Sequence, residues 1–553
     1  MSFLTPGVMS GRDWSAVERA VARTMSHCGW KDVRLVGGSG DRGADVLAVR
    51  PDKFGDMKSW VVQVKAISSS DRYVGNKALQ ESLDAQSYYS TSYAAVATNG
   101  DFTDAARVRQ AELLGAGYDL KLWNGAFLTS MVSKWPEWHH DRRTPRPYQG
   151  GVLDALKISY AEGSPAGQFV MATGLGKTVV AAEFVRHCLD DLGMKRGLVL
   201  SNSQDLSLQL ERAFWPHMKS SEATSVFMDG SPINSGEGLA FGVYKTMLGY
   251  LPSIPPDLFD VLVVDEAHNA LAGDYEGLLS RLRPKYMVGM TATPWRGDGD
   301  SIDRLFGRPL ATVSLVDGMS MGYLAQVDYR MFCDNIDWKA VPRLSGQNLN
   351  IKDLNRRLFL PQRDDAAVAK IAEAAREVTR PKIIVFSPSI AHATQFAKLL
   401  CAAGLSAKCV SSLLPRSERQ AALMDLSAGR LSAICAVDSL NEGIDIADVN
   451  IIAFMRASHS RRIFIQQLGR GLRIADDKDK VIVLDFVSDI RRLSEVVDMN
   501  NEAKSSRPVP EAIYLNSGFV SFSDGNVESF IEEWIADAAN LVGGSSALQH
   551  MWN

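Results

Sequence analysis

Apolar residues follow two rhythms along this chain. In the first helical stretch they recur at Val17, Val21 and Met25, one face of a helix with a period of about 3.6 residues. Further on they come as short unbroken runs: QFVMAT (168–173), GLVLSN (197–202), LAFGVY (239–244), VLVVDE (261–266) and YMVGMTAT (286–293). Helical segments separate these runs. A strand buried on both faces has no polar side to show, so such runs alternating with helices predict a parallel sheet covered on both faces. The same texture returns in KIIVFSPS (382–389), AKCVSS (407–412), SAICAVDS (432–439), NIIAFMRA (450–457) and KVIVLDFV (480–487). Two α/β units in tandem are predicted.

Residues 1–134 read as a separate domain of helices and short strands. KWPEWHHDRRTPRPYQ (134–149) is dense in Pro, Trp, His and Arg, interrupts both rhythms, and reads as a linker centred on 135–143. The first tandem unit takes 144–297 and the second 381–492, with 298–380 as a connector packed on one or both. The tail, 493–553, offers one helical pattern, VESFIEEWIADAANL (527–541), and no readable chemistry. His139 and His140 read as surface charge on the linker and receive no role.

Composition narrows the class. A length of 553 residues suits about three or four domains. Hydrophobic content of 46% and charged content of 22% allow each its own core. A net charge of −4 excludes a uniformly basic nucleic-acid coat but leaves room for a local basic groove. The six cysteines form no CxxC pair, which argues against a zinc cluster or a disulfide framework and fits a reducing compartment. No signal pattern opens the chain and no run of ~18 apolar residues occurs, so a cytoplasmic protein without a membrane partner is expected.

Candidate chemistry begins at MATGLGKT (171–178), where a buried strand enters a glycine-rich turn. Built on Gly174 and Gly176, with Thr173 and Leu175 completing it, that turn points backbone N–H groups at phosphate oxygens. Lys177 then reaches the terminal phosphates and the Thr178 hydroxyl sits on Mg²⁺. Asp265, at the end of the VLVVD strand, is placed to hold that Mg²⁺, and Glu266 to polarise an attacking water. The strict GxxxxGK[ST] spacing would need glycine at 171, where this chain has Met171.

Read in order, residues 144–492 resemble a superfamily 2 helicase or translocase of the type I and type III restriction motor group. RPYQ (146–149) resembles the adenine-reading segment, which implies that Gln149 bonds the base of ATP and Tyr148 stacks near it. LVLSNSQDLSLQ (198–209) resembles the strand-loop that touches a nucleic-acid backbone, although a buried strand with a polar loop reads equally well. TATP (291–294) resembles the element linking ATP state to strand contacts. SLNEGIDI (439–446) is similar to the motif facing both nucleotide and DNA, with Gly443 and Asp445 at its core. QQLGRGLR (466–473) is similar to the arginine-finger motif, which implies that Gln466, Arg470 and Arg473 meet the ATP bound on the other lobe.

The N-terminal block carries a second constellation. GDRGADVLAVR (40–50) places Asp45 at the start of an apolar strand, and in WVVQVKA (60–66) Gln63 and Lys65 share one face. Glu18 lies in the first helix. An acid beside an acid-or-amide two residues before a lysine is the set that Mg²⁺-dependent phosphodiester cleavage needs. Asp45 and the carbonyl of residue 64 would hold the metal, Gln63 would complete its shell, and Lys65 would activate water. Taken singly, Asp45 is equally a turn residue and Lys65 a solvated edge charge. The block resembles the Mrr-like branch of the PD-(D/E)xK nucleases, supported by AAVATNGDFTDAARVRQAELLG (94–115). Gln63 stands where the wider superfamily has a carboxylate, which lowers the negative charge of the site.

The expected architecture is α/β, tandem RecA-like domains preceded by a restriction-endonuclease-like domain. The expected function is an ATP- and Mg²⁺-dependent DNA helicase or translocase fused to an endonuclease, acting on double-stranded DNA with a methylase or specificity subunit as possible partner, in restriction or repair. Two alternatives stay open: an RNA helicase, and a DNA-binding ATPase switch with an inactive nuclease fold.

Overall fold

The computed structural model describes residues 2–37, 43–68, 73–227, 237–292, 302–331, 364–437, 449–455, 478, 480–486 and 520–522. The Val17–Val21–Met25 stripe becomes α1 (Trp14–His27), opened by Asp13, whose carboxylate accepts the Ala16 N–H at 3.1 Å. That side chain satisfies one of the amide groups left over at a helix start. Five strands follow in spatial order β1 (Lys31–Leu35), β2 (Val46–Pro51), β3 (Met57–Lys65), β4 (Tyr93–Thr98) and β5 (Leu120–Trp123). The first three pair antiparallel and the last three parallel. The parallel β3–β4 crossover is made by α2 (Asn76–Tyr89). Trp60 stacks between Tyr93 and Trp123, closing one end of this sheet.

The next unit, lobe 1, is a seven-stranded parallel sheet. Its strands are β6 (Ala166–Met171), β7 (Arg196–Ser201), β8 (Thr224–Phe227), β9 (Gly238–Val243), β10 (Val261–Asp265), β11 (Tyr286–Thr291) and β12 (Pro309–Val313). Their spatial order is β8-β9-β7-β10-β11-β6-β12. Three of its helices bear on function: α3 (Pro147–Ala161), α4 (Lys177–Asp190) and α5 (Gln204–Phe214). Lobe 2 repeats the plan with β13 (Gln326–Met331), β14 (Ile383–Phe386), β15 (Ala407–Val410), α6 (Arg416–Ser427), β16 (Ala433–Ala436), β17 (Ile451–Phe454), β18 (Lys480–Asp485) and β19 (Val520–Phe522). The order is β15-β16-β14-β17-β18-β13-β19, again parallel throughout. Both lobes are the tandem α/β units that the apolar runs predict.

The connector is divided between them: β12 lies on the edge of the lobe 1 sheet and β13 inside that of lobe 2. The tail contributes β19, whereas the helical pattern at 527–541 lies outside the described residues.

The linker needs a correction. His139 is buried at 4% exposure rather than surface charge. One ring nitrogen meets the Ser26 hydroxyl at 3.0 Å and the other accepts the Asp141 N–H at 3.1 Å. Burial first, then the neighbouring His140, push its pKa down to about 3, so the ring is neutral. The cause is a broad seam between the N-terminal domain and lobe 1. Arg23 on α1 donates to the carbonyls of Glu222 and Lys219 at 2.8 and 3.1 Å, and Arg212 on α5 donates to that of Val33 at 2.9 Å. Arg19 stands 3.3 Å from Glu211 on α5, both side chains almost fully buried. Trp215, just beyond α5, packs into the core of the N-terminal domain.

Candidate functional site

In lobe 1 the strand order β10-β11-β6 brings Met171 and Asp265 to the same, C-terminal edge of the sheet, the edge where open parallel sheets bind ligands. From Met171 the chain turns through Gly174 (φ 91°) and Gly176 (φ 84°), left-handed values that glycine adopts without strain. Gly176 caps α4 and, having no side chain, leaves the first N–H groups of the helix without a side-chain cap. A helix start left in that state is an anion cradle. Thr173, Gly174, Lys177 and Thr178 are half-buried at its mouth, and Leu175 is buried beneath. Lys177 Nζ lies back on the Met171 carbonyl at 3.3 Å.

Gln149 and Tyr148 brace this loop from α3. Gln149 accepts the Arg146 N–H at 2.8 Å and donates to the Leu175 carbonyl at 2.8 Å, which Tyr148 also reaches at 2.7 Å. A Cβ added at Gly176 would come within 2.5 Å of the Gln149 amide, a second reason for glycine there. Tyr323, outside every motif read above, tilts against Tyr148 at 4.8 Å and lies under the Arg146 guanidinium at 4.7 Å. No motif marks Tyr323, because its neighbours in space lie in a distant segment.

Asp265 is buried at 6% exposure and accepts the Glu266 N–H at 2.9 Å. Glu266 adopts φ 47°, ψ 51°, a left-handed conformation that costs a non-glycine residue about 1–3 kcal/mol and recurs at functional sites. Its Oε2 lies 3.3 Å from the His268 ring, which meets the Thr291 hydroxyl at 2.8 Å. Beneath them Tyr275 stacks on Tyr244 at 4.3 Å. Burial first, then the charge of Asp265, hold the Tyr275 phenol well above its ordinary pKa. In lobe 2, Gly443, Asp445, Gln466, Arg470 and Arg473 lie outside the described residues, as does Thr293. The lobes do touch: Arg419 on α6 pairs with Asp205 on α5 at 3.2 Å.

In the N-terminal domain the predicted residues converge. Asp45 is buried and its Oδ2 accepts the Val64 N–H at 2.6 Å, so Val64 meets it through the amide nitrogen. A Cβ built on Gly37 would stand 3.0 Å from Glu18 Oε2 and 3.1 Å from Asp45 Oδ1, so both carboxylates close on one point. Gln63 is 2% exposed, and its Oε1 has no hydrogen-bond partner among the described residues. The converging Glu18 and Asp45 carboxylates are hard donors that fit Mg²⁺, and the buried bare Gln63 Oε1 on the adjacent strand is a further oxygen of the same kind. The sequence did not reveal Glu81 on α2. Its Oε2 lies 2.7 Å from Gln63 Nε2 and 2.7 Å from Lys65 Nζ. Burial alone would raise the Glu81 pKa, but the bonds from Lys65 and Gln63 outweigh it and hold it below the ordinary value.

Comparisons with known proteins agree with this geometry. Residues 9–132 match the Mrr-type restriction endonuclease family model, 142–296 that of the type III restriction enzyme res subunit, and 366–475 that of the helicase conserved C-terminal domain. The chain is 26% identical over 316 residues to a 51.5 kDa protein of Lactococcus phage (isolate 7-9), covering 56% of this chain and 63% of that one. It is 25% identical over 403 residues to the type I restriction enzyme EcoAI endonuclease subunit of Escherichia coli, covering 66% and 49%. It thus spans about half to two thirds of the length of these curated relatives. Among solved structures, the ATP-dependent type ISP restriction-modification enzyme LlaBIII bound to DNA superposes with a TM-score of 0.51 at 15% identity, covering 95% of this chain and 42% of that one. The fold and the matched domains define a pair of helicase-type lobes with a restriction-endonuclease-type domain in front. In particular, lobe 1 carries the domain of a type III restriction enzyme res subunit, lobe 2 the helicase conserved C-terminal domain, and the N-terminal domain is of the Mrr type.

Proposed function

We propose that this chain hydrolyses ATP to move along double-stranded DNA and cuts DNA with its N-terminal domain, in restriction of foreign DNA or in repair. The observation that carries this reading is one chain holding both the bare helix start beside Asp265–Glu266 and the converging Glu18–Asp45–Gln63 donors. Lys177 binds the terminal phosphates and Glu266 orients the attacking water; Gln149, with both amide ends bonded to the backbone of Arg146 and Leu175, holds the phosphate loop together with Tyr148 rather than the base. By their motif resemblance, Gln466, Arg470 and Arg473 act on the transferring phosphoryl group of ATP, and Gly443 and Asp445 serve the same reaction. Asp265 and Thr178 would hold Mg²⁺ in lobe 1, and Asp45, Glu18 and Gln63 would hold it in the N-terminal domain; bound there, the ion offsets charge on phosphoryl oxygens. Lys65 adds a positive charge at the second site. Similarity to the E. coli endonuclease subunit supports DNA over RNA as the track, and a methylase or specificity subunit as partner.

The test is ATP turnover with duplex DNA, single-stranded DNA and RNA as stimulants, beside plasmid nicking with and without Mg²⁺ and ATP. Duplex DNA is expected to stimulate most and nicking to require Mg²⁺. Stimulation by RNA alone, or nicking indifferent to Mg²⁺, would overturn the reading.

A further inference from the structure

We propose that Glu81 supplies the carboxylate that β3 lacks, setting the Gln63 amide with its oxygen toward the metal position and fixing Lys65 next to it. The proposal deepens, and rests on, the nuclease reading above.

An amide side chain has a donor end and an acceptor end, and only the acceptor is useful to a cation. Glu81 Oε2 takes the donor end of Gln63 at 2.7 Å, which leaves Oε1 buried and bare. A buried acceptor without a partner is destabilising, a deficit that a bound cation removes. The same Glu81 oxygen lies 2.7 Å from Lys65 Nζ, so one carboxylate fixes both side chains. Glu81 is held close by the backbone. A Cβ on Gly43, two residues before Asp45, would meet the Glu81 carbonyl at 2.9 Å and Gln63 Nε2 at 3.3 Å, and Gly43 itself has φ 83°. The negative charge missing from position 63 has therefore moved outward by one layer, onto α2. Glu81 acts through Gln63 and Lys65 and is a positioning residue.

The alternative is an ordinary half-exposed ion pair, of the kind Lys77 also makes with Glu81 at 3.6 Å, which contributes little. Titration of the full-length protein with Mn²⁺, followed by calorimetry, separates the two. Glu81→Gln is expected to weaken Mn²⁺ binding by about 10–100-fold, the usual effect of losing a residue that orients a ligand. Gln63→Glu alone sets two carboxylates against each other and is expected to weaken binding. The exchanged pair, Gln63→Glu with Glu81→Gln, re-forms the hydrogen bond in reverse and restores affinity. Lys77→Ala is expected to leave affinity unchanged. Wild-type affinity in Glu81→Gln overturns the proposal. So does an exchanged pair no better than Gln63→Glu, or a Lys77→Ala loss equal to that of Glu81→Gln. Unfolding midpoints of each variant report folding separately. If wild type and Asp45→Asn give the same isotherm, the nuclease reading itself fails, and this proposal with it.

Discussion

The ring of His268 meets the hydroxyl of Thr291 at 2.8 Å, with both residues out of contact with solvent. His268 belongs to the acidic segment at the end of β10, and Thr291 closes β11, so this hydrogen bond ties the Asp265–Glu266 corner to the start of the TATP segment. Thr291→Val removes that bond while keeping the side-chain shape. It is expected to lower DNA-stimulated ATP turnover and to cost about 1–3 kcal/mol of stability, whereas Thr291→Ser keeps both. Equal losses in the two variants would assign the effect to packing of the methyl group.

Lys177→Ala is expected to abolish ATP hydrolysis, since nothing else in the described loop carries a cation to the terminal phosphates. Turnover measured by phosphate release at saturating ATP checks this. Near-normal rates would remove the phosphate role from the loop.

Lys65→Ala is expected to stop Mg²⁺-dependent nicking of plasmid DNA and to leave ATP turnover intact. Persistent cutting in a preparation freed of contaminating nuclease would contradict the N-terminal assignment.

The Arg19–Glu211 pair is buried, with side-chain exposures of 7% and 1%. Removing one partner strands the other charge away from water, so Arg19→Met is expected to cost about 3–5 kcal/mol in urea unfolding. Arg19→Met with Glu211→Met is expected to recover much of that loss. A double variant as unstable as the single one would show that the arginine contributes by packing.

Lobe 2 carries an acid-sensitive cluster. Arg330 on β13 bonds Asp328 at 2.7 Å and Glu377 as well, and Lys480 on β18 reaches Asp328 at 3.1 Å. Burial opposes ionisation of Asp328, but bonds from Arg330 and Lys480 outweigh it and hold its pKa below 3.8; the Arg330 bond holds Glu377 below 4.5. A depressed carboxylate contributes stability above its unfolded pKa and loses it as pH falls through the folded value. Asp328→Asn is therefore expected to melt below wild type at neutral pH, with the gap closing as pH drops below 3.8. A gap that is constant with pH would exclude the charge.

Much of this was legible in the chain because both lobes are built on strands buried on both faces, and such strands need unbroken apolar runs. Gly174 and Gly176 were legible for a related reason, since their backbone conformations tolerate little else. The strands β12 and β13 were not: β12 alternates between half-buried and exposed residues at the sheet edge and shows no run. Glu81 looks like any polar residue of an amphipathic helix until α2 is laid over β3. His139 was misread for the opposite reason, because a segment with linker composition turned out to be covered on two sides. Arg470 and Arg473, read from their motif, lie outside the described residues.

Trp215 follows α5 in sequence yet fills the interior of the domain that begins the chain. Cutting the chain at 135–143 would not release two finished halves. The front piece would have a hole where an indole had been, and the rear piece would carry that indole bare into water, inviting aggregation. For this molecule, the N-terminal domain and lobe 1 have to be made, and purified, as one casting.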